Sequence, residues 1–255
     1  MNIGFEYIKY RWKAKNRHGI HSPFVYTFTD KCLIIKPDAN SLSLIDKIVK
    51  RLKADSRFIE VSDFGAGSKK MGKQRKVSNI LATSSSKGKY GKLLYQLSNY
   101  YKPNQILELG TSLGIGTLHL QLGHPTSKVT TVEACPNTRA EAKKSFDEVN
   151  LDKINSIHAT FDTFFSAAVD TTYDLVFVDG HHDGDALLTY MNHLKSITHN
   201  ETIFVLDDIR WSDSMLNAWN KIVGDDHYHV TMDLFRMGIV VPRHQQEKEH
   251  FTIRL

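Results

Sequence analysis

The stretch Ile106-Leu107-Glu108-Leu109-Gly110-Thr111-Ser112-Leu113-Gly114-Ile115-Gly116-Thr117 constrains this chain more than any other. It reads as a short buried strand with an acid near its end, a glycine-rich turn and the start of a helix. Only a residue without Cβ lets the backbone turn that tightly and approach a ligand closely. The glycines are spaced G-x-x-x-G-x-G at Gly110, Gly114 and Gly116. A dinucleotide fingerprint needs G-x-G-x-x-G, and a phosphate-cradling loop needs a Gly-Lys-Ser/Thr that is absent here. An acid this close to the turn argues against a pyrophosphate and for a cationic ligand. The other reading is a tight strand–helix turn with no ligand.

From residue 105 onward the chain alternates between two hydrophobic periods. Strands read at 105–109, 128–133, 154–159, 173–178 and 201–206, and helices near 115–122, 137–149, 183–197 and 211–223. That alternation predicts an α/β domain with a doubly wound, mostly parallel sheet. The tail from Val230 to Val241 reads as two strands with a tight connection, and Phe251–Leu255 as a further strand.

In such sheets ligands bind beyond the carboxyl ends of the strands, so the residues standing there are the candidates. Glu133 ends the second strand, about twenty residues after the turn, where a carboxylate accepts hydrogen bonds from ribose hydroxyls. Thr160 and Phe161 follow the third, where an adenine would lie; Phe161 reads as a stacking ring or a core aromatic. Asp179 ends the fourth, ahead of Gly180-His181-His182, and Asp207-Asp208 end the fifth. Three carboxylates near one pocket repel unless a cation lies between them, and a hard divalent ion such as magnesium takes oxygen ligands. Asp208 has a second reading as a helix cap, a role Ser212 serves equally well.

The amino-terminal third reads differently. Residues 5–35 are helical and aromatic-rich, with Phe5, Ile8 and Trp12 at helical spacing, and Ser22-Pro23 is a helix start. His18 and His21 read either as part of a lid or as solvated side chains of a docking helix. Ser41–Ala54 is an amphipathic helix. Asp63-Phe64-Gly65-Ala66-Gly67 imitates a second cofactor loop, but Lys69–Lys76 has no apolar helix face to follow it. No acid occurs between Asp63 and Glu108, while Lys69, Lys70, Lys73, Arg75, Lys76, Lys87, Lys89, Lys92 and Lys102 do. That asymmetry reads as a basic loop recruiting an anionic substrate or as a solvated loop. The division expected is a helical extension or lid over 1–83 and a catalytic domain over 84–255.

Composition narrows the function classes. Of 255 residues, 41% are hydrophobic and the formal net charge is +5, ordinary for a globular enzyme and too mild to mark a nucleic-acid binder without a recognisable module. The two cysteines, Cys32 and Cys135, have no metal-type spacing, and Met1–Tyr7 is not a signal-type segment, so a cytoplasmic location is expected. No apolar run approaches the ~20 residues of a membrane span.

From about Ser84 to Gly224 the chain resembles the class I S-adenosylmethionine-dependent methyltransferases of the catechol O-methyltransferase type. It is closest to their bacterial small-molecule relatives with an Asp-Gly-x-His element, here Asp179-Gly180-His181-His182. The Arg17–Tyr26 stretch also resembles uncharacterised bacterial methyltransferases of this size. The resemblance implies a Rossmann-like seven-stranded sheet with one antiparallel strand. S-adenosylmethionine would then be held by Glu108, Gly110, Thr111, Ser112, Gly114, Glu133, Thr160, Phe161 and Asp179. In the metal-dependent branch an acid after strand four and an Asp-Asn pair after strand five bind the metal; here these positions are Asp179, Asp207 and Asp208, with Asp replacing Asn. The catalytic lysine of that branch falls on His182, which reads as a general base with Asp179 beside it, or as a loop histidine.

The expected activity is O-methylation of a small molecule, an anionic acceptor among the options. Its rivals are methylation of RNA or protein docked on the 69–76 loop, and cofactor binding without catalysis. Oligomeric state stays open, a homodimer among the options.

Overall fold

The computed structural model describes residues 2–14, 20–63, 70–83, 86–167 and 170–255. His18, the glycines of the imitation loop and Lys69 lie outside the described residues. The chain forms two compact units, one of Ile35–Val169 and one of Met1–Ile34 with Asp170–Leu255. The first 83 residues are therefore shared between the two.

In the Ile35–Val169 unit, parallel strands β3 (Gln105–Leu109), β4 (Lys128–Glu133) and β5 (Ile154–His158) lie side by side in that order. Helices α5 (Gly88–Tyr101), α6 (Ile115–Gly123) and α7 (Pro136–Glu148) alternate with them. The amphipathic α3 (Ala39–Ala54), capped by Asp38 on the Ser41 N–H at 2.9 Å, buries Ile45, Ile48 and Leu52. Those side chains share a core with Leu81 of α4 (Val77–Thr83), Tyr95 of α5, Leu118 of α6 and Phe146 of α7. The basic stretch departs from the loop expected. Lys70–Lys76 is a strand, β2, antiparallel to β1 (Phe58–Asp63) in a separate two-stranded hairpin. Lys73 and Arg75 are exposed along it. A strand as cationic as β2 carries no apolar signal of its own.

The other unit carries β6 (Tyr173–Val178), β7 (Thr198–Leu206), β8 (Val230–Leu234), β9 (Met237–Val241) and β10 (Glu249–Thr252), in the spatial order β10-β8-β9-β7-β6. Among the described strands of this unit only β9 runs against its neighbours, as expected for the one antiparallel strand. Among the described residues the sheet strands number eight rather than the seven expected, because β10 adds in parallel to β8. Helices α9 (Gly184–Leu194) and α10 (Asp213–Gly224) pack on each other.

The amino-terminal helix corrects its sequence reading. In α1 (Ile3–Lys13) the stripe of Phe5, Ile8 and Trp12 is exposed, Trp12 at 89%. The docked side is the aromatic one between them. Tyr10 is buried and donates to the Ile253 carbonyl at 2.6 Å, and Tyr7 meets the Phe235 ring edge-on at 5.0 Å. A polar hydroxyl with a backbone acceptor and a ring partner, not the Phe5–Ile8–Trp12 stripe, holds α1. Then Ser22 caps α2 (Pro23–Thr27), which runs into a π-helical turn, Phe28–Cys32, and His21 is exposed. No described helix is long and apolar enough to cross a membrane.

Candidate active site

The glycine turn is built by local backbone chemistry. The Gly110 N–H donates to Val132 O at 3.0 Å, continuing the β3–β4 pairing past the last strand residue. Gly110, Ser112 and Gly114 then take positive φ values of 104°, 49° and 82°. Gly114 caps α6, its own N–H bonded to Thr111 O at 2.8 Å. A Cβ there would lie 2.6 Å from Phe146 Cε1, so the glycine is required by space as well as by conformation.

Glu133 is held against this turn. Its Oε2 accepts from the Ser112 N–H at 2.8 Å and its Oε1 from the Cys135 N–H at 2.9 Å. Burial pushes the carboxyl above its ordinary range, against the pull of the Cys135 and Ser112 amides. Glu108 faces inward instead. It is 1% exposed, accepts from Thr131 Oγ1 at 2.5 Å and from the Thr117 hydroxyl, and burial pushes it up to about 7. Its hydrogen bonds join β3, β4 and α6 beneath the turn, and Thr111, buried with it, joins them through Thr131 at 2.5 Å. Thr160 caps α8 (Phe161–Ser166) by accepting from the Thr163 N–H at 3.1 Å, and Phe161 is buried.

The same unit holds a cleft of about 590 Å³. Leu42, Ile45, Val49 and Ile115 form its apolar wall, Lys36, Lys87 and Lys92 line it, and Asp46 is the one acid among its lining residues. His119 on its wall is buried and neutral, pushed down to about 4 by desolvation.

The second constellation lies in the other unit. Parallel pairing sets Val178 opposite Leu206, and the Asp207 N–H donates to Val178 O at 2.9 Å, so Asp179 and the Asp207-Asp208 pair emerge together. His181, His182 and Asp208 all have positive φ, 65°, 37° and 50°. Such φ values are uncommon away from glycine and cluster at functional sites. They bring Asp179, His182 and Asp208 to within 4.8 Å of one another through one donor atom each. His182 Nε2 lies 3.8 Å from Asp208 Oδ2, and its ring tilts against Trp211 at 5.3 Å. The cap of α10 is Ser212, which accepts from the Met215 N–H at 3.1 Å, so Asp208 has no capping role.

Asp207 falls outside the convergent set. Its Oδ1 accepts from the Asp208 N–H at 2.8 Å and lies 3.4 Å from Arg236 Nε. Arg236 Nε is also 2.9 Å from Asp208 Oδ1. Burial works against the Arg236 charge, but Asp207, Asp208 and Asp179 outweigh it and raise the guanidinium pKa. The ligand set implied for a divalent ion thus meets a cation already present. Arg236 lies against Asp207 and against both oxygens of Asp208, its Nη2 donating to Oδ2 at 3.5 Å. Arg236 escaped the sequence reading, although its signal was there: a lone cation in the tight connection between two apolar strands.

With this geometry in place, comparison with known proteins is informative. A family model described as a methyltransferase domain matches residues 107–209, the span from the glycine turn through Asp179, His182 and Asp208. An O-methyltransferase from Bacillus cereus, solved with S-adenosylhomocysteine, aligns with a TM-score of 0.59 at 16% identity, over 85% of this chain and 96% of that one. The fold is that of the Rossmann-like methyltransferases. A Podospora anserina methyltransferase, also bound to S-adenosylhomocysteine, shares this methyltransferase fold with a TM-score of 0.53 at 14% identity, over 81% of this chain and 97% of its own. So does the Streptomyces achromogenes O-methyltransferase TomG, involved in tomaymycin synthesis and solved with S-adenosylmethionine. Its TM-score is 0.53 at 17% identity, covering 84% of this chain and 89% of its own.

Proposed function

We propose that this chain is an S-adenosylmethionine-dependent O-methyltransferase acting on a small, anionic acceptor. The observation that carries this reading is the methyltransferase-domain match over 107–209, which takes in both constellations. The turn Gly110–Gly114 with Glu133 holds the cofactor, Glu133 accepting from the ribose hydroxyls. Thr160 and Phe161 serve its adenine end and Asp179 its methionine end. The acceptor hydroxyl loses its proton to His182 as its oxygen attacks the methyl carbon. The carbon–sulfur bond breaks and its electron pair returns to sulfur, so the sulfonium charge disappears as the ether forms. Asp208, 3.8 Å from His182, stabilises the imidazolium that results. A positioned base of this kind contributes on the order of 10²–10⁴ in rate. The lysine-lined cleft supports an anionic acceptor, since Lys36 and Lys92 add cations to an apolar wall. A cytoplasmic setting agrees with two free, buried cysteines.

The test uses radiolabelled S-adenosylmethionine, the purified protein and a cell extract separated into small-molecule, lipid, protein and RNA fractions, with His182→Ala as control. Label in the small-molecule fraction, lost in the variant, is expected. Label in RNA or protein would replace this reading with one in which the basic β2 hairpin docks a macromolecule. A titration showing cofactor binding, with no fraction labelled, would favour a non-catalytic binder.

A further inference from the structure

Arg236 belongs to a part of the fold that the chemistry above does not use, and its setting is unusually constrained. It occupies the turn between β8 and β9, where Phe235 has φ 73° and the Arg236 N–H bonds back to Leu234 O at 3.0 Å. The turn is clamped from two sides. Ile209 N–H donates to the Arg236 carbonyl at 2.9 Å, and Arg210 donates to the Phe235 carbonyl at 2.7 Å while forming a two-pronged ion pair with Asp233. A turn held this way aims the Arg236 side chain with little conformational freedom left to lose. The guanidinium then lies 2.9 Å from Asp208 and 3.4 Å from Asp207, and its charge is also felt by Asp179.

We propose that the Arg236 guanidinium is the resident cation of the Asp179–Asp207–Asp208 cluster, in place of a divalent metal ion, so that this protein works without one. Three carboxylates at one locus need a counter-charge, and the guanidinium supplies it, donating from Nη2 to Asp208 Oδ2 at 3.5 Å with its Nε 3.4 Å from Asp207. Arg236 is then a positioning residue. It lies against both oxygens of Asp208, including the Oδ2 that faces His182, and so holds the base in place. A divalent ion entering beside it would meet a like charge and a ligand set already partly engaged. The role given to His182 rests on the methyl-transfer reading; the identity of the cation does not.

The experiment therefore reads metal binding directly. Metal-stripped protein is titrated with Mn2+ and the free-ion signal followed by electron paramagnetic resonance, with no cofactor or acceptor present. The wild type is expected to leave the free-ion signal unchanged. Arg236→Met, which keeps an apolar stem and removes the charge, is expected to deplete it stoichiometrically, and adding Asp208→Ala to that variant should abolish the depletion. Arg236→Lys should behave as the wild type. Stoichiometric Mn2+ binding by the wild type, lost in a folded Asp208→Ala, would overturn the proposal. A folded Arg236→Met that binds no Mn2+ would overturn it as well. If methyl transfer is measurable, turnover should be insensitive to chelator, and its loss on chelation would count against Arg236 while leaving the methyltransferase reading intact.

Discussion

Single residues in this protein do work that their types alone do not reveal, and Glu108 is the clearest case. Its carboxyl is fully buried and pushed up to about 7 by desolvation, against the hydroxyls of Thr117 and Thr131. A carboxyl raised in the folded state stabilises the fold fully below its ordinary value and loses that contribution as pH rises through the raised one. Stability should therefore fall between about pH 5 and about pH 8, by on the order of 3 kcal/mol from this group. Chemical denaturation at the two pH values checks it, and Glu108→Gln should flatten the difference. Glu133 has the opposite role, with its oxygens on the Ser112 and Cys135 amides at the turn. Glu133→Ala removes the charge that orders those amides and the acceptor for the ribose. Cofactor affinity by calorimetry should weaken about 10- to 100-fold, in line with ~1.5–3 kcal/mol for charged hydrogen bonds. Both acids were legible as strand-end carboxylates. Which one faces inward was not, because alternation along a strand assigns a side but not the contents of that side.

Among the elements, the glycine turn and α6 act as one piece. Gly114 is at once the helix cap, a positive-φ residue and the floor on which Phe146 of α7 rests. Gly114→Ala should cost about 1–3 kcal/mol from overpacking, with left-handed strain in addition. It should lower the melting temperature and cofactor affinity together, since the turn cannot be displaced from Phe146 without moving Ser112. A calorimetric melt and a titration of the same sample read both; a lowered melting temperature with unchanged affinity would separate the turn from the cofactor. The β-strands 105–109, 128–133 and 173–178 agree residue for residue with their reading from hydrophobic period. The β2 strand and the exposed face of α1 do not, for the same reason. Period predicts burial only where a helix or strand docks by its apolar stripe, whereas β2 is held by backbone pairing and α1 by two tyrosines.

At the scale of the whole molecule, the proposed labour divides between the two units. The glycine turn and Glu133 belong to Ile35–Val169, and His182, Asp208 and Arg236 to Met1–Ile34 with Asp170–Leu255. His182→Ala should therefore abolish most turnover, by about 10²–10⁴, yet leave the stabilisation by cofactor unchanged. That stabilisation is about 2.7 kcal/mol at a hundredfold excess over Kd, or roughly 5–11 °C in a chain of this length. Thermal melts with and without S-adenosylmethionine, beside a turnover assay, distinguish loss of chemistry from loss of binding.

The sequence alone determined the alternation of strand and helix, the place of the glycine turn and the acids at the strand ends, because these follow from residue periods and backbone preferences acting over a few residues. Tertiary structure alone decided that Glu108 points into the core, that Asp207 faces Arg236, and that Arg236 reaches Asp208 from 28 residues further along the chain. Charges that far apart in the chain meet only when β7 and β9 pair in register, and no local pattern encodes that pairing.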